Sequence, residues 1–125
     1  MSSEFAKDVL ERFERQNVVD IQTRSAKGTK HAVPIWIVVV EGVPYVRSVR
    51  GPRGRWYREL LARGEGAIFA GGASVAVRAT HDSTPTAIEA VSAALRRKYR
   101  RSGQSLASML RADVLDTTVR LEPLT

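Results

Sequence analysis

A chain of 125 residues is long enough for one hydrophobic core and too short for two. Hydrophobic residues make up 43% and charged residues 26%, the balance of a globular domain, and no run nears the roughly 18–20 apolar residues of a membrane span. There is no cysteine, which excludes disulfides, thiolate catalysis and cysteine–metal sites, and His31 and His81 lie far apart without carboxylates at ligand spacing, which argues against a structural zinc.

The N-terminal stretch MSSEFAKDVLERFERQ has mixed charge and lacks the apolar centre of a signal peptide, so the expected location is cytoplasmic. Within it, Phe5, Val9, Leu10 and Phe13 recur at helical spacing and predict a helix over residues 4–15, with Ser2 or Ser3 as its cap. Residues 18–24 alternate Val19, Ile21 and Thr23 with polar neighbours, the pattern of a half-buried strand. The Gly28 segment then forms a turn bearing Lys27 and Lys30.

Residues 31–40 read as one strand. Its apolar run is continuous, which predicts cover on both faces, and Pro34 marks an edge, a bulge or a ligand approach. Glu41-Gly42 turns the chain into a strand over 44–49, closing a hairpin. A basic Gly/Pro loop, RGPRGR, leads to a short helix with Trp56 and Leu60 facing inward, ended by Gly64. Short strands follow at 67–70 and 74–80. Thr84-Pro85 opens a helix carrying Ile88, Val91, Leu95 and Tyr99 on one face. A short helix over 105–111 and a strand over 114–122 complete the chain. The expected fold is mainly β with peripheral helices (α+β), about six strands joined mostly by hairpins into a small barrel. The whole chain, 1–125, is expected to form a single domain with its helical segment near 84–111.

No nucleophile elbow, metalloprotease helix motif, P-loop or dinucleotide glycine fingerprint is present. His81-Asp82-Ser83 holds three triad residue types, but adjacent residues cannot face one another in triad geometry. The run Arg96, Arg97, Lys98, Arg100, Arg101 offers phosphate contacts, yet reads first as a solvated helix end that complements the helix dipole.

The net charge of +7 is uneven: nine Lys or Arg between Arg24 and Arg63 face only Glu41 and Glu59. Arg24, Lys27, Lys30, Arg47, Arg50 and Arg53 flank the apolar hairpin, and Ser48 adds a hydroxyl. Guanidinium forks and ammonium groups gathered at one locus suit phosphate. Trp36, Tyr45, Trp56 and Tyr57 lie beside them, and an aromatic wall next to an anion clamp suits a flat phosphorylated ring. The residues alone leave two readings open: cofactor pocket, or core aromatics with surface arginines.

The pattern Thr23-Arg24-Ser25-x-Lys27-Gly28-x-Lys30-x-x-x-Pro34-Ile35-Trp36, then Tyr45-Val46-x-Ser48 and Trp56-Tyr57-Arg58-x-Leu60, resembles the flavin- and deazaflavin-binding split-barrel proteins. These include pyridoxamine 5'-phosphate oxidase-like enzymes and deazaflavin-dependent nitroreductase-like proteins, with the nearest likeness to a small branch beside the latter. The resemblance covers residues 18–80 well and the last strand weakly. It implies a six-stranded antiparallel split β-barrel, usually a homodimer with cofactor sites at the subunit interface.

It also implies that Arg24, Lys27, Lys30 and Ser48 hold cofactor phosphate, that Pro34, Ile35 and Trp36 lie along the ring, and that Trp56 packs beside the cofactor tail. Deazaflavin-binding relatives carry Lys directly after the Ser; Val49 stands here, with Arg50 or Arg53 as substitutes. The function implied is a flavin- or deazaflavin-dependent oxidoreductase acting on a small organic substrate, with FMN or the deazaflavin coenzyme F-420 as cofactor. No catalytic acid stands out in the sequence; Tyr45 and Tyr57 are the candidates for donating a proton. The alternatives are a non-catalytic cofactor-binding or carrier module, and a nucleic-acid binder using its basic face.

Overall fold

The computed structural model describes residues 4–124. Helix α1 (Lys7–Arg15) follows the predicted periodicity, burying Phe13 and, just before it, Phe5. Their rings meet edge to face with centroids 5.8 Å apart. Ala6 stands at the cap position without a side-chain cap; the expected caps Ser2 and Ser3 fall outside the described residues.

The strands are β1 (Val19–Arg24), β2 (Lys30–Ile35), β3 (Val38–Val40), β4 (Val43–Val46), β5 (Glu65–Ala70), β6 (Ala73–His81) and β7 (Val119–Pro123). They form one antiparallel sheet in the order β2-β1-β5-β6-β7-β4-β3. The chain is mainly β with helices outside the sheet, as expected, but there are seven strands rather than six. The extra strand arises because residues 31–40 are not one strand. The chain breaks at Trp36-Ile37: β2 pairs with β1, and β3 pairs with β4.

Two strands adjacent in sequence therefore stand at opposite ends of the sheet. The sheet must curl into a half-barrel whose edges are joined by two residues. At the break, Ile37 has no ladder partner, and a buried backbone group needs one. Side chains of α3 (Pro85–Lys98) and its cap supply it. The Ile37 N–H donates to the Tyr99 hydroxyl at 3.3 Å, and its carbonyl accepts from Lys98 Nζ at 2.7 Å.

The expectation of cover on both faces is also corrected. Ala32 and Pro34 of β2 are exposed. β2 is an edge strand, where a residue without an N–H is tolerated. On β1, Val19, Ile21 and Thr23 are buried as the alternation predicts. The β3–β4 turn has positive φ at both Glu41 (49°) and Gly42 (80°), the conformation that matches strand twist in a two-residue hairpin.

Two apolar clusters result. One fills the curl of the sheet with Phe13, Ile21, Ile37, Ile68 and Leu121, closed by Leu60 of α2 (Arg55–Arg63). The other lies between β3, β4 and α3 and includes Val38, Tyr45, Val91, Leu95 and Tyr99. Thr84 caps α3 as expected, its Oγ1 accepting from the Ala87 N–H at 3.2 Å. The helix expected at 105–111 is two short helices, α4 (Gly103–Ser108) and α5 (Ala112–Leu115), and the last strand begins at Val119 rather than Val114.

Candidate functional site

The break at Trp36-Ile37 opens a cleft. Pro34, Ile35 and Trp36 form one wall and Trp56, at the start of α2, another. Arg47 reaches its floor, and Ser105, Ser108 and Met109 close the α4 side of a cavity of about 290 Å³. A second chamber of about 450 Å³ shares Pro34, Val49 and Trp56 and continues toward Val33, Arg50 and Arg55. Val49, 46% exposed, thus presents an apolar side chain to both.

Arg47 follows β4 and is 2% exposed. Its Nε donates to Thr118 Oγ1 at 2.9 Å. One terminal nitrogen donates to Ser92 Oγ and to the Met109 carbonyl, both at 3.1 Å, and the other to the Ile88 carbonyl at 3.2 Å. Every acceptor is neutral. Four of its five N–H donors are used, and none meets a carboxylate among the described residues. Burial first, and the neighbouring Arg96 charge second, bring its pKa down to about 10, so it remains a cation at neutral pH.

Ser48 is buried beside it. Its hydroxyl donates to the Gly51 carbonyl at 2.8 Å, while its N–H donates to Thr117 Oγ1 at 3.0 Å. The hydroxyl proton is therefore spent in closing the basic loop. That loop is tight enough that a Cβ on Gly54 would run into Ser48 Oγ.

The structure brings Pro34, Ile35, Trp36, Arg47, Arg50 and Trp56 together around the cleft. It does not bring Lys27 and Lys30 there. They are exposed at the far end of the β1–β2 hairpin, where Arg24 pairs with Lys30. At about 3.3 Å per residue, Lys30 stands about 17 Å along β2 from Ile35. Arg24 lines a separate cavity of about 260 Å³ with Arg63 and Glu65. Arg53 is exposed on the 3-10 turn Gly51–Arg53. Tyr57 is buried in the main core, its ring edge-on to Trp56 at 6.3 Å. Burial, followed by Asp116, raises its pKa.

Residues that sequence reasoning passed over also shape the site. Ser105 and Ser108 share a face of α4 at i and i+3. Arg111 fixes the cleft rim, donating to the Val49 carbonyl at 3.0 Å and pairing with Asp113 at 3.1 Å. The Arg111 hydrogen bond holds the exposed Asp113 carboxyl below its ordinary range, with Arg53 a minor contributor. Only the spacing of the two serines left any trace in the sequence.

Neither histidine lines the cleft. His31 Nδ1 lies 3.1 Å from Glu59 Oε1, which also accepts from Thr23 Oγ1 at 2.8 Å. Burial pushes the Glu59 carboxyl up, but these two hydrogen bonds outweigh it and hold it low. His81 is engaged with Asp116.

The fold is a curled antiparallel half-barrel with flanking helices and a cleft at the break between its edges. Residues 9–121 match the profile of the family described as "Uncharacterized protein conserved in bacteria (DUF2255)", and the chain belongs to it. No curated protein sequence matches the chain.

Among solved structures, the chain is similar to HutZ, the heme storage protein from Vibrio cholerae, with a TM-score of 0.67 and 14% identity over 98% of this chain and 92% of that one. It is similar to a NimC/NimA family protein from Clostridium acetobutylicum, with a TM-score of 0.62 and 17% identity over 95% and 78% of the two chains. It is also similar to the F420-H2 dependent reductase FDR-A, with a TM-score of 0.61 and 17% identity over 86% and 94%. At these identities the likeness establishes the fold. Among the described residues, no helix is long and apolar enough to cross a membrane.

Proposed function

We propose that this protein is a flavin- or deazaflavin-dependent oxidoreductase whose cofactor ring occupies the cleft between Trp36 and Trp56. The observation that carries the reading is Arg47. A buried cation without a carboxylate partner is costly, and here it lies on the floor of an aromatic-walled cleft with one N–H unused. An electron-rich flat ring compensates both features. The resemblance to an F420-H2 dependent reductase supports the same reading.

The bound cofactor would supply hydride transfer. The chain supplies the rest. Trp36 and Trp56 would hold the ring plane, and Arg47 would provide a fixed positive charge that favours electron uptake by a ring held beside it. Val49 and Met109 add apolar surface to the cleft, and on the α4 side Ser105 would offer its hydroxyl to a small substrate, while Ser108, whose proton goes to the Gln104 carbonyl at 3.0 Å, would offer only an acceptor. Arg50 and Arg55 line the second chamber and would hold a phosphorylated tail there. Arg24, Lys27 and Lys30 are too distant to hold the same phosphate in one subunit. A homodimer that sets one subunit's hairpin turn against its partner's cleft would restore them, and the exposed face of edge strand β2 is the surface available for it.

Resemblance to a heme storage protein raises haem as a rival ligand. The cleft argues against it, because both histidines are engaged elsewhere and Met109 is the one strong axial-ligand candidate at its wall. The test is titration of the purified protein with FMN, deazaflavin coenzyme F-420 and haem, followed by visible absorbance and tryptophan quenching. Saturable binding of FMN or the deazaflavin, lost in Trp56→Ala, is the expected result. Binding of haem alone, or of none, would overturn the reading.

A further inference from the structure

A further cavity, of about 490 Å³, is also lined by Trp36. Four cations line it, Arg97, Lys98, Arg100 and Arg101, together with Val18 and Trp36, and no acid does. Cations in the last turn of a helix ordinarily answer its dipole, equivalent to about half a charge. That accounts for Arg97 at most. Lys98 is already committed, its Nζ donating to the carbonyls of Phe13 at 2.8 Å and Ile37 at 2.7 Å. Arg100 and Arg101 stand beyond the end of α3, in a turn closed by the Ser102 N–H on the Tyr99 carbonyl at 2.9 Å.

Among the described residues none of the three guanidiniums has an ion-pair partner. Glu14, the acid that acts on Lys98, does not line the cavity. The floor is rigid: Tyr99 stacks on Trp36, and its hydroxyl donates to the Asn17 carbonyl at 2.7 Å. Val18, 51% exposed, gives the lip an apolar surface.

We propose that this cavity binds a compact anion bearing several phosphate groups, at a site separate from the cofactor cleft. Three unpaired guanidinium forks around one concavity match a cluster of phosphate oxygens. The arrangement favours a small ligand over nucleic acid, because the cations surround a cavity rather than track along a surface groove. Val18 and the edge of Trp36 could carry a base or another flat group attached to the phosphates. Trp36 is a wall of both cavities, so occupancy of one alters the surroundings of the other.

The proposal stands independently of the cofactor and is tested without it. Inorganic tripolyphosphate and adenosine triphosphate are titrated by calorimetry into the native protein, and by fluorescence into Trp56→Phe, which leaves Trp36 as the sole tryptophan. Saturable binding of either probe is expected, and tighter binding of the nucleotide identifies the base as part of the ligand. The variant Arg97→Gln/Arg100→Gln/Arg101→Gln should weaken it by about tenfold or more. Lys7→Gln/Arg58→Gln/Arg78→Gln removes the same charge elsewhere and should cost about twofold or less.

Equal losses in the two variants would reduce the effect to net charge and overturn the proposal. So would the absence of binding. A single-stranded oligonucleotide that binds far more tightly than either probe, with a steep salt dependence, would overturn it in favour of a nucleic-acid surface.

Discussion

Tyr99 stacks flat on Trp36, with ring centroids 3.8 Å apart and planes 3° from parallel. The pair joins the end of α3 to the point where the sheet's two edges meet. Trp36 cannot continue β2 while lying against Tyr99, and Ile37 turns its N–H to the Tyr99 hydroxyl instead of a neighbouring strand. One aromatic contact thereby divides the strand, opens the cleft and fixes the orientation of a cleft wall. Lys98 completes the arrangement by tying Ile37 to Phe13 of α1.

Tyr99→Phe keeps the stack and removes the hydroxyl. The Asn17 carbonyl and the Ile37 N–H then lose their partner, a cost of about 1–3 kcal/mol for buried groups. Urea unfolding should show that loss, with cofactor affinity nearly unchanged. Tyr99→Leu removes the stack as well, frees Trp36, and should also lower cofactor affinity. Equal affinities in the two variants would mean that the stack does not position the wall.

Lys98 gives a pH dependence of definite sign. Burial lowers its pKa to about 8, against the opposing pull of Glu14. Between that value and the ordinary 10.5, the unfolded chain binds more protons than the folded one. Stability therefore rises with pH across this window. The Tyr99 phenol, raised to about 12 chiefly by burial, acts oppositely above pH 10, so the clean interval ends below that. Urea midpoints should increase from about pH 8 to about pH 9.5. Lys98→Met keeps the packed stem, lowers stability overall and should flatten the rise.

What was legible in the sequence was local. The alternation at Val19, Ile21 and Thr23, the Glu41-Gly42 turn and the Thr84-Pro85 helix start each rest on interactions within a few residues, and each is where it was expected. The break at Trp36-Ile37 was not legible, because the groups that replace the ladder come from Lys98 and Tyr99, far along the chain. By sequence, Arg47 and Ser48 look like members of a charged clamp. Both are buried, because their partners come from positions 51, 88, 92, 109, 117 and 118, which only the fold assembles. The aromatic and proline part of the cleft was visible as residues, though not as a cleft.

The Ser48–Gly54 approach can be tested by a double-mutant cycle. The backbone of Gly54 (φ −57°, ψ 129°) accepts any residue, so a substitution there meets only the clash with Ser48 Oγ. Gly54→Ala should cost about 1–3 kcal/mol, as overpacking does. In a Ser48→Ala background the nearest atom becomes the Gly51 carbonyl oxygen at 3.5 Å, an ordinary contact, and most of that cost should vanish. Additive effects in chemical denaturation would show that the loop relaxes instead.

Arg47 links the scaffold to the proposed function, and two substitutions separate those roles. Arg47→Met fills part of the volume but strands the acceptors of Thr118, Ser92, Met109 and Ile88, which should cost about 2–4 kcal/mol. Arg47→Lys retains a cation but cannot span those acceptors, so it too is destabilised, by a smaller amount. The native protein should gain thermal stability on binding FMN or deazaflavin, because ligand bound only to the folded state shifts the equilibrium toward it. Arg47→Lys should keep part of that gain and Arg47→Met should lose nearly all of it, measured well below either variant's melting point by direct titration. If Arg47→Met binds the cofactor as tightly as the native chain, the buried cation serves the scaffold alone, and the cleft must find its specificity in Trp36, Trp56 and the rim arginines.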